Sequence, residues 1–383
     1  MVSYGVSHFE APLYRLIAED RRCSLKLFMQ VHPNRNKKFD TDYKTSVWWG
    51  EDILAGYESE HCPGDEMMWG AVRSWRPDVI LLYGYAWNAG VRVLWGAWRS
   101  HIPVVFRGTI SPIIDPRHAW KSRLMRVARI PVLRAFDGWH YGGAYSLRVL
   151  QQAGVPVERC YHVPYSVNSN WFLSESKRLV ATGAAEAERR RLGVPDSHLA
   201  LLFIGQASWF KGPDIAIEVF RRFHEREHRS VLLFVGSGAE LDATRALAAR
   251  YQLADHVRFL GFRPSKETVS VYAACDAVLF CSRYETWARS VNEAMLCGKP
   301  CFVNRVMPVA DDLVIDQKNG FVLDGPDADS YIEPMLRFAA LSAAERAQMG
   351  EAARQQALQF SYENHLDEAI CSLCETARGG NTN

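Results

Sequence analysis

Short apolar runs, separated by longer amphipathic stretches, recur along the whole chain. The runs are rich in β-branched and aromatic residues, and helical periodicity follows most of them. They are SLKLFMQV (24–31), DVILLYG (78–84) and IPVVFRG (102–108), then ALLFIG (200–205), SVLLFVG (230–236), HVRFLG (256–261), AVLFCS (277–282) and PCFVNR (300–305). Buried strands that alternate with helices predict an α/β protein with parallel sheets.

One interval interrupts this alternation and divides the chain. Residues 168–198 are polar and charged and contain no strand-like run. We therefore predict an N-terminal Rossmann-like domain over 1–170, a linker over 171–198 and a C-terminal Rossmann-like domain over 199–355. A final helix is predicted over 356–383. The length of 383 residues also favours two domains.

The N-terminus departs from the expected order of elements. The chain opens with MVSYGVSHFEAPLYRLIAED, which has the pattern of a turn followed by a helix. A Rossmann-like domain normally starts with a strand at this point. Either the first strand is absent, or Met1 lies inside a longer protein. We favour the second, because an empty sheet position would leave backbone groups unpaired.

The segment ETWARSVNEAM (285–295) carries two glutamates, Glu285 and Glu293. On one continuous helix they would differ by about 80° in direction and by about 12 Å along the axis, so they could not share a proton. We expect Glu285 on a loop and Glu293 in the first turns of a helix that starts at 288–290. A helix start binds anions. The layout fits a sugar nucleotide, whose diphosphate lies between two hydroxyl-rich rings.

Composition narrows the class of protein. A hydrophobic fraction of 48% and a charged fraction of 23% are typical of a globular protein, and a net charge of +2 argues against a general nucleic-acid binder. We recognise neither a signal peptide nor an apolar run long enough to span a membrane. Nine scattered cysteines fit a reducing compartment, so we expect a cytoplasmic location. Cys371 and Cys374 form a CxxC, which we interpret as helix packing, with metal or redox chemistry as the alternative.

Four segments, in order, resemble the family 4 retaining glycosyltransferases of the GT-B fold. They are FIGQASWFKGPDIAIEVF (203–220), the pair LLFVGSGAEL (232–241) and VRFLGFRP (257–264), CSRYETWARSVNEAMLCGKPCFV (281–303), and DDLVIDQKNGFVL (311–323). The likeness runs from about 162 to 325 and continues weakly to 360–365. It implies two Rossmann-like domains that face each other across a cleft, with the final helix crossing back to the N-terminal domain.

The resemblance assigns roles that simple chemistry supports. Lys211 would stabilise the charge that develops on a leaving nucleoside diphosphate. Glu293 would accept hydrogen bonds from both ribose hydroxyls, and Glu285 would hold or orient the transferred sugar. Backbone N–H groups of Ala288, Arg289 and Ser290 would bind the distal phosphate. For each side chain the alternative is an ordinary surface residue or, for Glu285, a helix cap.

Other donor-binding candidates rest on position within the same motifs. They are Gly205, Gln206, Gly236, Phe262 and, in the N-terminal domain, Gly5. Phe262 would bring backbone to the base, and Gly5 stands where the family's glycine-rich loop approaches the donor. The family commonly has arginine in place of Gln206, so the charge and the bidentate fork are lost here. Gly236 and Gly238 could equally form a tight turn with no contact to a ligand.

The N-terminal half lacks a histidine that family members often carry. Thr109 occupies its place, and Arg107 lies just before it. Arg107 could handle charge in catalysis or be a structural arginine, and neither is favoured. His8 and His140 are further candidates, although a lone histidine is more often a core or surface residue.

The resulting hypothesis is a retaining hexosyltransferase. It would move a hexose from a nucleotide diphosphate sugar, with UDP favoured over GDP, to a hydroxyl of a glycan or glycolipid precursor, as in polysaccharide biosynthesis. The family generally needs neither metal nor cofactor, and Asp311 and Asp312 fall in a loop expected under the nucleotide. The alternatives are a catalytically silent GT-B binding protein and a sugar-nucleotide epimerase. A dehydrogenase is disfavoured, because its glycine fingerprint is missing.

Residues 117–134, RHAWKSRLMRVARIPVLR, combine six lysines and arginines with an apolar side. Such a helix suits peripheral contact with an anionic membrane, here at its inner face. The alternative, which we favour from sequence, is a core-packed helix with a solvated basic face.

Overall fold

Helices and strands, most of them parallel, make up two units of the chain. The computed structural model describes residues 1–32, 39–40, 45–46, 53–85, 87–110 and 119–380. The described residues within 1–37, 51–167 and 360–383 form unit 1, and those within 38–50 and 168–359 form unit 2.

The strands follow in chain order. They are β1 (Val2–Ser3), β2 (Lys26–Met29), β3 (Phe39–Asp40), β4 (Thr45–Ser46), β5 (Glu58–His61), β6 (Ile80–Tyr83), β7 (Val104–Arg107), β8 (Gly138–Tyr141), β9 (Cys160–His162), β10 (Leu199–Ile204), β11 (Ser230–Val235), β12 (Val257–Gly261), β13 (Ala277–Leu279), β14 (Cys301–Asn304) and β15 (Gly320–Leu323).

The helices alternate with them. They are α1 (Ala11–Glu19), α2 (Asp65–Trp75), α3 (Asn88–Arg99), α4 (Ala119–Leu133), α5 (Ala144–Ala153), α6 (Ser169–Ala181), α7 (Ala184–Arg191), α8 (Pro213–His224), α9 (Leu241–Arg250), α10 (Ser265–Ala274), α11 (Arg289–Leu296), α12 (Val309–Leu313), α13 (Ala328–Ala340), α14 (Ala343–Gln359) and α15 (Leu366–Gly380).

Unit 1 is built on a seven-stranded parallel sheet in the order β5-β2-β1-β6-β7-β8-β9. Its first strand is present, so the interpretation of the N-terminus as a turn followed directly by a helix was wrong: Val2 pairs with Phe28 of β2 and with Leu82 of β6. Sequence analysis missed β1 because two residues are too few to form a periodic pattern.

Helices cover both faces of this sheet. On one face, side chains of α2, α3 and α5 pack with the strands in a single core. On the other, α1 and α15 share a second core, with Leu13 and Tyr14 beside Ile370 and Leu373. The final helix is therefore a component of unit 1, although it follows unit 2 in the chain.

Unit 2 contains a six-stranded parallel sheet in the order β12-β11-β10-β13-β14-β15. The chain adds β11 and β12 on one side of β10 and then returns to place β13 on the other side. Buried aromatic and aliphatic residues fill the core, and the rings of Phe203 and Phe234 stack with centroids 4.5 Å apart.

The interval expected to be a linker, 171–198, instead lies within unit 2. Helices α6 and α7 bury Leu179 and Ala185, and Arg189 donates a 2.9 Å hydrogen bond from Nη1 to the backbone oxygen of Ala274. The interval resembles a linker in sequence because its many charged residues lie on the outward sides of these two helices.

Among the described helices, none is both long enough and apolar enough to cross a membrane.

Candidate functional site

The site in unit 2 lies where the order of strands reverses. Loops after β10 and β13 leave the carboxyl ends of two adjacent strands and continue in opposite directions across the sheet. A crevice forms at such a reversal, and open α/β sheets bind ligands there. Lys211 comes from the loop after β10, and Glu285 comes from the loop after β13.

These two predicted residues meet in an ion pair. Lys211 Nζ contacts Glu285 Oε2, while Glu285 Oε1 accepts a 3.1 Å hydrogen bond from the backbone N–H of Thr286. Glu285 is 8% exposed, whereas the Lys211 side chain is 28% exposed. The lysine side chain is therefore more accessible to solvent than the carboxylate that it contacts.

A short 3₁₀ turn, Trp209–Lys211, holds the lysine in place. The next residue, Gly212, has a φ of +65°, and a Cβ there would lie 2.2 Å from the backbone oxygen of Cys281. Only glycine allows the turn to approach the end of β13 this closely.

Arg283 fixes the same two loops to each other. Its guanidinium donates two hydrogen bonds to the Asp214 carboxylate, at 2.7 and 2.6 Å, and a third to the backbone oxygen of Trp209 at 3.1 Å. Its backbone N–H donates to the Phe210 oxygen at 2.8 Å. Sequence analysis missed this clamp, because its partners are 69 residues apart and no local spacing indicates the pairing.

The glycines after β10 and β11 also allow close approach of backbone to backbone. Gly205, Gly236 and Gly238 have φ values of +153°, +152° and +150°. A Cβ on Gly236 would lie 1.9 Å from the Gly205 oxygen, and one on Gly238 would lie 2.6 Å from the Ala207 oxygen. The two loops are thus so close to each other that only glycine fits at positions 236 and 238.

Glu293 lies on α11 and is buried, with 6% exposure. Burial raises the pKa of Glu293 to about 7, and the hydroxyl of Tyr272 and the charge of Arg289 oppose that rise only partly. The Tyr272 hydroxyl lies 3.1 Å from Glu293 Oε2 and donates to it. Tyr272 is a further site residue that sequence analysis missed, since it lies on α10, outside the motif.

The start of α11 brings Ala288, Arg289 and Ser290 together between the two glutamates in the chain. Ala288 precedes the first helical residue and has a φ of +74°, a left-handed conformation that is unfavourable for alanine. The first amides of a helix have no intrahelical acceptor, so they are suited to bind an anion.

Two more predicted residues lie at neighbouring strand ends. Gln206 follows β10 and is half-buried. Phe262 is also half-buried and follows Gly261, the last residue of β12, whose oxygen accepts a 2.9 Å hydrogen bond from Gly236 N–H. Asp311 and Asp312 lie on α12 rather than in the expected loop, and Asp312 Oδ2 accepts a 2.6 Å hydrogen bond from the Trp287 indole.

Arg107 of unit 1 is not a solvent-facing cation, which corrects its candidacy as a catalytic residue. It is 1% exposed, and its Nε donates a 2.9 Å hydrogen bond to the buried Glu10 carboxylate. Its Nη1 donates to the Val163 oxygen at 3.2 Å. Of the two roles considered for Arg107 from sequence, its burial and its partners favour the structural one.

The other candidate residues of unit 1 differ in burial and in hydrogen-bond partners. His140 is buried, its Nε2 lies 2.6 Å from Ser372 Oγ, and burial holds its pKa well below the usual value, so it is a neutral core residue. His8 is half-buried, and Thr109 is exposed. Gly5 follows β1, where its oxygen accepts a 2.6 Å hydrogen bond from the Ser3 hydroxyl.

No group of three or more His, Cys, Asp and Glu side chains within the described ranges is arranged to hold a metal ion. Cys371 and Cys374 are free thiols on α15.

Comparison with known proteins extends these observations. The family model for glycosyl transferases group 1 matches residues 184–356. D-inositol 3-phosphate glycosyltransferase of Corynebacterium jeikeium is 31% identical over 201 residues, which are 50% of this chain and 47% of the relative. The chain thus spans about half the length of the curated relatives it matches.

Solved structures match over nearly the whole chain. HepE from Anabaena in complex with UDP superposes with a TM-score of 0.73 at 19% identity, covering 98% of this chain and 99% of HepE. The complex of HepE with UDP-glucose gives a TM-score of 0.68 at the same identity, covering 98% of each chain. A glycosyltransferase from Rickettsia africae gives 0.74 at 12% identity, covering 100% of this chain and 98% of the other.

These structural likenesses establish the fold, with two Rossmann-like units, and the family match covers most of unit 2, including both glutamates and Lys211. Residues 184–356 are thus similar to the glycosyl transferases group 1 family, and the fold of the chain is GT-B.

Proposed function

We propose that the protein is a retaining glycosyltransferase that moves a hexose from a nucleotide diphosphate sugar to a hydroxyl acceptor. The observation that supports this most directly is the pairing of Lys211 with Glu285 at the strand-order reversal of unit 2. Buried Glu293 follows on the adjoining helix. The three side chains offer one cation for a diphosphate and two carboxylates for hydroxyl-rich rings.

The chemistry assigned to these residues is charge stabilisation and positioning. The bond between the anomeric carbon and the distal phosphate oxygen breaks, and the acceptor oxygen bonds to that carbon on the same face. The acceptor's proton passes to the departing diphosphate, so neither glutamate is needed as a base or nucleophile. Lys211 and the first amides of α11 stabilise the negative charge as it develops.

Each carboxylate has a separate task in this proposal. Glu293 accepts hydrogen bonds from the two ribose hydroxyls, and Glu285 exchanges its contact with Lys211 for hydroxyls of the transferred sugar. Gln206 donates to a phosphate oxygen, which leaves Lys211 and Arg289 as the cations nearest to the diphosphate in the motif. With these groups to balance its charge, the diphosphate needs neither a metal nor a cofactor.

The proposals for the base of the donor and for the acceptor have less direct support than the proposed donor site. UDP is favoured because HepE, with the same fold, has been solved with UDP and with UDP-glucose. GDP is the alternative. The names of the curated relatives specify a hydroxyl-bearing phosphate, D-inositol 3-phosphate, as the group they glycosylate. For this chain we propose a glycan or glycolipid precursor that offers a hydroxyl.

The test is release of nucleoside diphosphate from a panel of UDP- and GDP-hexoses, with and without hydroxyl acceptors and with EDTA present. We expect release only when an acceptor is present, and a product with the anomeric configuration of the donor. An inverted product would contradict retention. Conversion of the sugar nucleotide without acceptor would identify an epimerase, and binding without turnover would identify a silent protein.

A further inference from the structure

Helix α3 of unit 1 exposes an apolar stripe to solvent. Val91, Trp95 and Trp98 stand at i, i+4 and i+7, and their exposed fractions are 56%, 59% and 74%. The opposite side of the same helix, which includes Val93 and Ala97, is fully buried in the core. The helix is therefore apolar on both sides, whereas a helix at a protein surface normally presents polar residues outward.

Helix α4 also exposes apolar side chains at this spacing. Trp120, Leu124 and Val127 also stand at i, i+4 and i+7, with exposed fractions of 67%, 62% and 62%. Leu133 at the end of the helix is fully buried and anchors it. The first half of α4 is thus not packed in the core, which corrects the interpretation favoured from sequence. Arg117 and His118 of the basic segment lie outside the described residues.

The two stripes belong to one side of the sheet. Helix α3 connects β6 to β7, and α4 connects β7 to β8, and these three parallel strands are neighbours in this order. Right-handed crossovers that advance in the same direction place their helices next to each other on the same face. We call the two stripes together the tryptophan face: Val91, Trp95, Trp98, Trp120, Leu124 and Val127.

The charged residues of α3 and α4 are all basic. The sequences of α3 and α4 contain six lysines and arginines and no acidic residue: Arg92, Arg99, Lys121, Arg123, Arg126 and Arg129. The Arg99 guanidinium lies over the Trp95 ring, 4.8 Å from its centroid. One neighbouring acid, Glu66 of α2, pairs with Arg92 at 3.5 Å.

We propose that the tryptophan face docks on an anionic lipid surface. Tryptophan and leucine side chains bury at the boundary between headgroups and acyl chains, while arginine and lysine pair with anionic headgroups. A second copy of the chain is a poorer occupant, because two such faces would bring like charges together. This docking does not depend on the function proposed for unit 2.

The experiment is co-sedimentation of the full chain with vesicles. One set is phosphatidylcholine alone, and the other contains about one third phosphatidylglycerol. We compare the wild type with Trp95→Ser/Trp98→Ser and with Arg126→Glu/Arg129→Glu. Val180→Ser, which changes an exposed apolar residue on α6 of unit 2, is the matched control. Thermal melts confirm that each variant is folded.

We expect the wild type and the Val180 variant to bind the anionic vesicles at least tenfold more tightly than the neutral ones, with binding that weakens in high salt. Each double variant should lose at least tenfold in affinity. The proposal is overturned if the wild type does not prefer anionic vesicles, or if neither double variant differs from the control. It is also overturned if Trp95→Ser/Trp98→Ser instead abolishes a dimer seen by sedimentation velocity.

Discussion

In unit 2, two residues of the same type differ in chemistry because their surroundings differ. Glu285 and Glu293 are both nearly inaccessible, but Glu285 faces the ammonium of Lys211 while Glu293 faces the neutral hydroxyl of Tyr272. The first carboxylate has a charged partner, and the second has a pKa raised to about 7 by burial. Burial therefore lets Glu293 keep its proton to a higher pH than an exposed carboxyl group does.

Glu293 should make folding stability depend on pH. Its pKa is raised from 4.5 to about 7, so between these values the folded state holds a proton that the unfolded state has released. Stability from this group therefore falls as pH rises from 4.5 to 7, by about 3 kcal/mol. Glu293→Gln removes the titration and still accepts from Tyr272. Urea unfolding at several pH values should show the variant gaining on the wild type across this window, whereas parallel curves would refute the assignment.

Lys211 should matter for both stability and binding, and the two effects can be separated. Lys211→Ala leaves the Glu285 carboxylate buried without its cation, so we expect a loss of about 1–3 kcal/mol in urea unfolding. Lys211→Ala/Glu285→Gln should recover most of that loss, because the amide carries no charge. UDP affinity should stay low in both, since neither supplies a cation for the diphosphate. Recovery of UDP binding in the double variant would show that the lysine only stabilises the fold.

At the scale of elements, close approach of the backbone shapes the site. Gly212, Gly236 and Gly238 let the loops after β10 and β11 and the end of β13 approach each other more closely than any side chain allows. The sequence shows glycine at these positions, but it does not show which backbone atoms lie against them. Ala288, by contrast, adopts a left-handed conformation without being glycine.

Substitutions at these positions should have opposite signs. Gly236→Ala places a Cβ 1.9 Å from a backbone oxygen, so we expect a loss of at least about 2 kcal/mol. Ala288→Gly relieves the left-handed conformation and should add up to about 1 kcal/mol. Gly70→Ala on α2, where a Cβ meets nothing within 4 Å, is the matched control and should be neutral or stabilising. Chemical unfolding measures all three, and equal effects at 236 and 70 would contradict the packing argument.

Strands β10, β11, β13 and β14 of unit 2 were predictable, because each is a continuous apolar run that is buried in a parallel sheet. β10 and β11 lie within one residue of their predicted runs, and β13 starts where its run starts but ends three residues earlier. The features that the sequence did not predict depend on partners that are distant along the chain. Arg107 is buried because Glu10, 97 residues away, neutralises it. The Arg283–Asp214 clamp and the Tyr272–Glu293 hydrogen bond are likewise nonlocal. The exposed apolar side of α3 also has no signature that separates it from a buried one.

At the scale of the whole molecule, one chain crosses between two units and returns. Residues 360–380 follow unit 2 in the chain but belong to unit 1, and α15 contributes Ile370 and Leu373 to its core. Unit 1 therefore needs both ends of the chain. Work on the donor site should accordingly use the full chain rather than an excised unit.

The central claim is that unit 2 binds a nucleoside diphosphate through Lys211 and Glu293. The most direct measurement is calorimetric titration of UDP and GDP into the full chain and into Lys211→Ala, Glu293→Ala and the control Glu186→Ala, an exposed residue on α7. We predict micromolar binding of UDP, weakened tenfold or more by each of the first two substitutions, about 1.4 kcal/mol, and unchanged by the third. If neither nucleotide binds, or if all the variants bind like the wild type, the assignment of the donor site is wrong.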